Sequence, residues 1–195
     1  MARNVKFEDL EKFKDKVKES LDSDAVDAFI QSCAKELAAR LLAKVIKRTP
    51  VGKKPFGKDV KKTVKIKTSK GNRSYLTREG AILEQYWSGY QGGTLRRGWT
   101  GGKSMSAHVY AQSLKVNHFA DTYVVEVVNP IEYASYVEFG HRQKPGRYVP
   151  QIGKKLTDGW VEGKFMLTIS EQEIQSGARS ILENKLKKKL GECFK

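Results

Sequence analysis

The stretch Asn129-Pro130-Ile131-Glu132-Tyr133-Ala134-Ser135-Tyr136-Val137-Glu138-Phe139-Gly140-His141-Arg142 decides how the chain is read. It follows a strand-like run, Thr122–Val128, that Asn129-Pro130 stops, because proline has no N–H and restricts the residue before it. Residues 132–139 then have the spacing of two helical turns, with Tyr133, Tyr136 and Val137 on one face at i, i+3 and i+4. Gly140 can take the left-handed conformation that closes a helix. His141 and Arg142 follow it. The pattern predicts a compact corner that buries its aromatics and leaves Glu138, His141 and Arg142 near an edge.

Working outward, residues 107–116 and 122–128 read as two β-runs joined by a loop over 117–121, an antiparallel hairpin. Tyr123, Val125 and Val127 alternate with Val124, Glu126 and Val128, so one face is wholly apolar. Further upstream, Asp22-Ser23-Asp24 offers N-cap candidates. The helix that follows runs to about Arg48, with Val26, Phe29, Ile30, Cys33, Leu37, Leu41, Val45 and Ile46 as a broad apolar face. Thr49-Pro50 ends it. Cys33 lies on that face as a packing residue. Before it, Leu10, Phe13 and Val17 mark a short amphipathic helix over 6–21. Downstream of the corner, residues 143–159 are turn-rich and form a candidate contact surface. Trp160 and Phe165-Met166-Leu167 are expected to return to the core. Ser170-Glu171-Gln172-Glu173 has the pattern of a capping box. The last helix follows, with Ile174, Ala178, Ile181, Leu182, Leu186 and Leu190 on one face.

The 195 residues carry a formal net charge of +15, and the excess is uneven. Residues 53–103 hold 13 basic and 3 acidic side chains. A field of that strength attracts nucleic acid or an acidic protein surface. Within this region Val64 and Ile66 alternate with Lys65 and Lys67 in a strand over 60–68, and Lys70-Gly71-Asn72 makes a turn. Ile82, Leu83, Tyr86 and Tyr90 match a short helical face. Leu95-Arg96-Arg97-Gly98-Trp99, bracketed by glycine pairs, reads as a flexible entry into a strand. Residues 53–91 thus form an inserted basic arm in a single domain spanning 1–195.

A resemblance runs through these pieces. The strand, then "N..EYA.YVEFGHR", then "W..G.FML" at residues 160–167 and a charged C-terminal helix, is similar to the tail-completion, or head–tail joining, proteins of long-tailed bacteriophages. These are also labelled minor tail or minor capsid components. A second matching piece is split: Arg48-Thr49-Pro50-Val51 comes early and Gly93-Thr94-Leu95-Arg96-Arg97-Gly98-Trp99 later. Family members run "TPV.TG.LRRSW" nearly without a break, whereas here residues 52–92 intervene. The resemblance covers roughly residues 24–52 and 92–190. It implies a structural virion protein of the neck, made in the host cytoplasm. It also implies a ring homo-oligomer, hexameric, that completes the tail and joins it to the head around the DNA conduit. Its partners would be copies of itself, neighbouring neck, tail-tube or head-completion proteins and, in passing, DNA; no membrane is involved.

The fold class expected is α+β, a small antiparallel sheet packed with one long helix before it and another after it. His108, His118 and His141 show no metal-ligand spacing, the two cysteines lie at opposite ends, and no nucleophile elbow or phosphate loop is present. The reading is a non-enzyme without cofactor or metal. The residues expected to contact a second subunit or a neighbour are Tyr136, Glu138, His141, Arg142, Arg96, Arg97, Lys61, Lys62 and Lys65. Two rivals stand beside it: a nucleic-acid-binding protein that uses the basic 53–103 segment, and a small nuclease or hydrolase centred on Glu138 and His141.

Overall fold

A computed structural model describes residues 2–5, 23–53, 63–69 and 71–193. The helix expected over 6–21, and Lys61 and Lys62, lie outside the described residues. The fold is α+β. The chain divides into two compact units, one of Met1–Pro50, Thr94–Phe139 and Gly163–Lys195, the other of Val51–Gly93 and Gly140–Glu162.

The first unit is built on helix α1 (Ser23–Arg48). Val26, Phe29, Ile30, Cys33, Leu37, Leu41 and Val45 are buried as their spacing requires, and Ala34, Ala38 and Leu42 widen the stripe. A stripe that wide serves three partners: α4 (Ala107–Ser113), β5 (Thr122–Val128) and α6 (Met166–Cys193) all pack on α1. Burial pushes the Cys33 thiol up to about 11, which leaves it a packing group rather than a nucleophile. Polar contacts pin the two long helices at their margins. Lys44 Nζ and Arg48 Nη2 donate to the Glu173 carboxylate at 2.7 and 2.8 Å, and Lys185 Nζ donates to the Ser32 carbonyl at 2.7 Å. The two cations hold the Glu173 carboxyl below its ordinary range.

The sheet of this unit has three antiparallel strands in the order β1-β5-β4, with β1 at Ala2–Val5 and β4 at Val116–Phe119. Tyr123, Val125 and Val127 are buried and Glu126 is exposed, as the alternation predicts. The hairpin turn is tighter than expected: Phe119 pairs with Thr122, and Ala120 takes a φ of +50°. Residues 107–113 are helical, not a strand. Ser106 caps that helix by accepting from Val109 N at 3.3 Å, and Ala107, Tyr110, Ala111 and Leu114 recur at helical spacing against the core. Their alternation, which suggested a strand, is overridden by the cap and by the facing stripe of α1.

The second unit holds a two-stranded ribbon, β2 (Thr63–Thr68) and β3 (Gly71–Leu76), and helix α2 (Arg78–Trp87). It also holds two short antiparallel pairs, β6 (Gly140–Arg142) with β9 (Trp160–Glu162) and β7 (Tyr148–Val149) with β8 (Lys154–Lys155). Thr77 caps α2 by accepting from Gly80 N at 2.9 Å. At the other end Trp87 donates its indole N–H to the Gln151 carbonyl and stands edge-on to Tyr90, with ring centroids 4.7 Å apart. The Trp87–Gln151 hydrogen bond joins the 51–93 segment to the 140–162 segment. Trp160, expected in the core, is exposed in β9. Register places Val64 opposite Tyr75 and Ile66 opposite Arg73 on one face of the ribbon, with Lys65 and Lys67 on the other.

Among the described residues, the core of the first unit draws no side chain from 51–93. Replacing residues 53–91 by a short Gly/Ser link is therefore expected to leave the α1–α4–α6 core folded, with one cooperative urea transition. Loss of that transition would show that the arm supports the core.

Candidate functional site

The two separated pieces of the split motif meet at Thr49. Pro50 prevents α1 from continuing, and the last carbonyls of the helix need partners. Thr49 Oγ1 donates to the Val45 carbonyl at 2.6 Å and accepts the indole N–H of Trp99 at 2.8 Å. The Thr49 carbonyl accepts from Arg96 Nη2 at 2.7 Å and Nε at 3.2 Å. Thr49 and Trp99 are buried. Arg96 and Trp99 belong to helix α3 (Thr94–Gly98) and the turn behind it. The segment read as a flexible strand entry is thus a braced helical turn. Thr100 N, Gly102 N and Thr100 Oγ1 all donate to the Arg97 carbonyl, and Gly101 N donates to Gly98 O. This pairing is a Schellman closure with Gly101 at a φ of +60°.

Gly98 has a separate reason. A Cβ there would lie 2.2 Å from Asn129 Oδ1. Asn129 is buried, donates to the Leu95 carbonyl at 2.9 Å and accepts from Ile131 N at 3.2 Å. The Leu-Arg-Arg-Gly-Trp turn is therefore clasped on one side by the end of α1 and on the other by the Asn129-Pro130 break.

At the corner, helix α5 spans Ala134–Phe139. Its buried face is Ala134, Val137 and Glu138, not Tyr133, Tyr136 and Val137. Glu138 is 0% exposed, and both carboxylate oxygens receive the start of α6. Oε2 accepts from Leu167 N at 3.0 Å; Oε1 accepts from Thr168 N and Thr168 Oγ1, both at 2.9 Å. A carboxylate on the free N–H groups of a helix N-terminus is satisfied by hydrogen bonds and dipole together. It also moves the start of α6 ahead of the expected capping box, to Met166. Lys164 N and Phe165 N donate to the Val137 and Glu138 carbonyls, which fixes the entry to the helix.

The cost of burying Glu138 falls on the aromatics. Tyr133, Tyr136 and Phe139 turn outward at 45%, 58% and 49% exposure; Phe165, just ahead of α6, and Ile169 in its first turn are exposed as well. The corner was expected to bury these rings and expose the carboxylate; it does the reverse. His141 and Arg142 lie in β6 of the second unit, and Lys65 in β2 of the same unit. Arg96, Arg97, Tyr136 and Glu138 belong to the first unit. The expected contact residues that are described are thus divided between the two units.

The family model HK97-gp10_like, described as "Bacteriophage HK97-gp10, putative tail-component", matches residues 11–140, well over half of the chain. The chain belongs to this family. No curated protein and no solved structure matches. As a tail component the protein is part of the virion, and no described helix is long and apolar enough to cross a membrane. Both pieces of the split motif and the aromatic corner fall within the match, which includes the intervening arm.

The chemistry in this tail component is structural where the geometry defines it. Glu138, the acid named in the hydrolase rival, has both oxygens committed to α6. His108 is exposed on α4. His118 stacks on Tyr123 at 4.1 Å, with Nδ1 3.5 Å from Asp27, and the Tyr123 hydroxyl donates to the same carboxylate. That cluster ties the hairpin to α1. No group of three or more His, Cys, Asp or Glu among the described residues could hold a metal ion.

Two stability measurements follow from this geometry. Thr49→Val leaves the Trp99 N–H buried without its acceptor, at a cost of about 1–3 kcal/mol in urea unfolding. Trp99→Phe in the same background removes the orphaned donor, so the double variant is expected to lose less than the sum of the two single variants. Additive losses would mean that the two side chains act independently. At the corner, Glu138→Gln is expected to cost about 1.5–3 kcal/mol, since it replaces a charged acceptor at the helix N-terminus. Tyr136→Ala should cost under about 1 kcal/mol, as exposed positions do. The opposite ranking would put the tyrosine, not the carboxylate, inside.

Proposed function

We propose that this tail component forms a closed hexameric ring that completes the tail and joins it to the head, around the DNA conduit. The observation that carries the reading is the outward turn of the α5 aromatics Tyr133, Tyr136 and Phe139, with Phe165 and Ile169 exposed where α6 begins. Contiguous exposed aromatic and aliphatic side chains mark contact surfaces, and tyrosine is enriched in them. This face exists because Glu138 fixes the rotation of α5, so it is rigid before any partner arrives, and binding to it loses little entropy.

A ring is built from heterologous contacts, so each subunit needs two different patches. The corner supplies one. The ribbon of the second unit fits the other: Val64, Ile66 and Tyr75 are exposed on one face, and Lys65 and Lys67 on the opposite face. A two-stranded ribbon is marginal by itself and gains from a covering surface. Lys61, Lys62 and Lys65, with Arg142 and the 143–159 segment, are proposed to meet acidic surfaces of the tail-tube or head-completion neighbours. There, complementary charge sets register more than affinity.

Electron microscopy and sizing chromatography of the purified protein test the ring. Wild type is expected to give closed rings. Tyr136→Asp should give a monomer with unchanged circular dichroism, because a charge is then desolvated at the contact. Rings that survive Tyr136→Asp would remove the corner from the interface. In virion assembly, the charge-reversed variant Lys61→Glu/Lys62→Glu/Lys65→Glu is expected to yield heads and tails that form but fail to join. Normal joining with slowed DNA ejection would place those lysines on the DNA path instead.

A further inference from the structure

Phe165 breaks the local rules of backbone conformation. Its φ is +46°, in the left-handed region, where Cβ crowds the following carbonyl and a bulky side chain is disfavoured. Glycine would sit there without steric penalty. Ala120 also has a positive φ, but it carries only a methyl group and makes the tight turn between β4 and β5. At Phe165 the neighbouring chain imposes the conformation. Lys164 N and Phe165 N donate to the Val137 and Glu138 carbonyls at 2.8 and 3.0 Å. Beyond it Met166 is buried, and Leu167 N and Thr168 N donate to the Glu138 carboxylate. The residue cannot relax without breaking contacts on one side or the other. Burial does not account for the ring, which is 43% exposed and lies outside the core. The main-chain bond to Glu138 brings it to the end of α5, where Phe139 is also exposed.

We propose that Phe165 is the anchor of the contact between two copies of this chain, seated on the apolar face of the neighbouring copy's β2–β3 ribbon. The inference rests on the ring reading above and names the side chains that meet in it. Strained backbone that its surroundings over-determine clusters where a side chain is presented to a ligand or partner. A ring held this way loses little freedom on binding, and buried aromatic anchors dominate interface energetics. The phenyl ring has no charge and no hydrogen-bonding group, so its seat must be apolar. Val64, Ile66 and Tyr75 supply such a surface, at 46%, 49% and 47% exposure on one face of the ribbon. Register puts Val64 directly opposite Tyr75, with Ile66 two residues along. Arg73, opposite Ile66, shares that face, and a guanidinium is attracted to the face of an aromatic ring. An acidic partner would be drawn to the other face, which carries Lys65 and Lys67. In a head-to-tail contact each copy offers one anchor and one seat.

The test has two arms, both on the full chain. In urea unfolding, Phe165→Gly is expected to have a higher midpoint than Phe165→Ala, the reverse of the usual order, because both lose the ring and only glycine relieves the backbone. Alanine above glycine would mean that the position carries no strain, and would overturn the proposal. In sizing chromatography, Phe165→Ala and Ile66→Asp, each alone, are expected to elute as monomers with unchanged circular dichroism. Mixed, they should give a heterodimer and nothing larger. The Ile66→Asp copy still has its anchor and the Phe165→Ala copy still has its seat, so one contact forms and cannot propagate. Phe165→Tyr, which keeps the ring, should associate as wild type does. Self-association that survives Phe165→Ala would overturn the proposal, and so would a mixture that stays monomeric. A heterodimer from a protein whose wild type closes no ring would support the contact and remove the ring, so the two readings fail separately.

Discussion

The structure depends on how the C-terminus of α1 is closed. Thr49 donates its own N–H and its hydroxyl to the Val45 carbonyl, at 2.8 and 2.6 Å. Its own carbonyl lies past the last turn of the helix, which Pro50 stops, and so meets no helical N–H. Arg96 takes that carbonyl, and its charge suits the negative end of the helix dipole. Trp99 takes the hydroxyl. One residue thereby recruits both halves of a motif that the sequence separates by residues 52–92. Loop-closure entropy grows only with the logarithm of length, about 0.6 kcal/mol per doubling. A long insertion at this point therefore adds little cost against a contact of several hydrogen bonds. Its ends lie close together: a Cβ at Gly92, whose φ is +72°, would come within 2.7 Å of the Gly52 carbonyl.

The corner shows why periodicity located the helix but chose the wrong face. Tyr133, Tyr136 and Val137 have the same i, i+3, i+4 spacing as Ala134, Val137 and Glu138. Hydrophobicity favours the first set. The second set wins because α6 begins against this helix and leaves N–H groups that need an acceptor. An unsatisfied buried donor costs about 1–3 kcal/mol, and two would outweigh much of what burying a tyrosine gains. A contact between residues 138 and 167 has no trace in a local window. The Glu138 position was visible as part of the motif; its direction was not.

Other elements divide along the same line. Helix α1, strand β5 and the apolar stripe of α6 were legible because each repeats its signal over many residues and packs on one extended partner. The strand β2 was legible from alternation over its described span, Thr63–Thr68; residues 60–62 of the expected strand lie outside the described residues. Helix α4 was misread because Ala107 to Val116 alternates about as well as it repeats at helical spacing. The Ser106 cap, one residue upstream, was the signal that could have separated the two. Helix α3 is a single turn whose only sequence mark is the Thr-Gly-Gly that closes it. Strand β1 gave no signal, since Ala-Arg-Asn-Val becomes a strand only by pairing with β5.

The charge pattern changes meaning once the units are known. The sequence presents 13 basic residues between 53 and 103 as one block. The fold assigns Arg96, Arg97 and Lys103 to the first unit and the rest to the second. That division matters for a tail component through which DNA is proposed to pass. A surface that made three phosphate contacts would have a salt slope near −2.7, so its binding would weaken about 40-fold between 50 and 200 mM salt. A surface that applied ten contacts at once would have a slope near −9 and change by about 10⁵-fold over the same range, with a correspondingly firm grip at low salt. A chain must slide past a conduit wall, and only the weaker regime permits it. On the proposed reading, dividing the cations between two units keeps the contact with passing DNA light. The same protein can then use its larger positive field for docking with its neighbours.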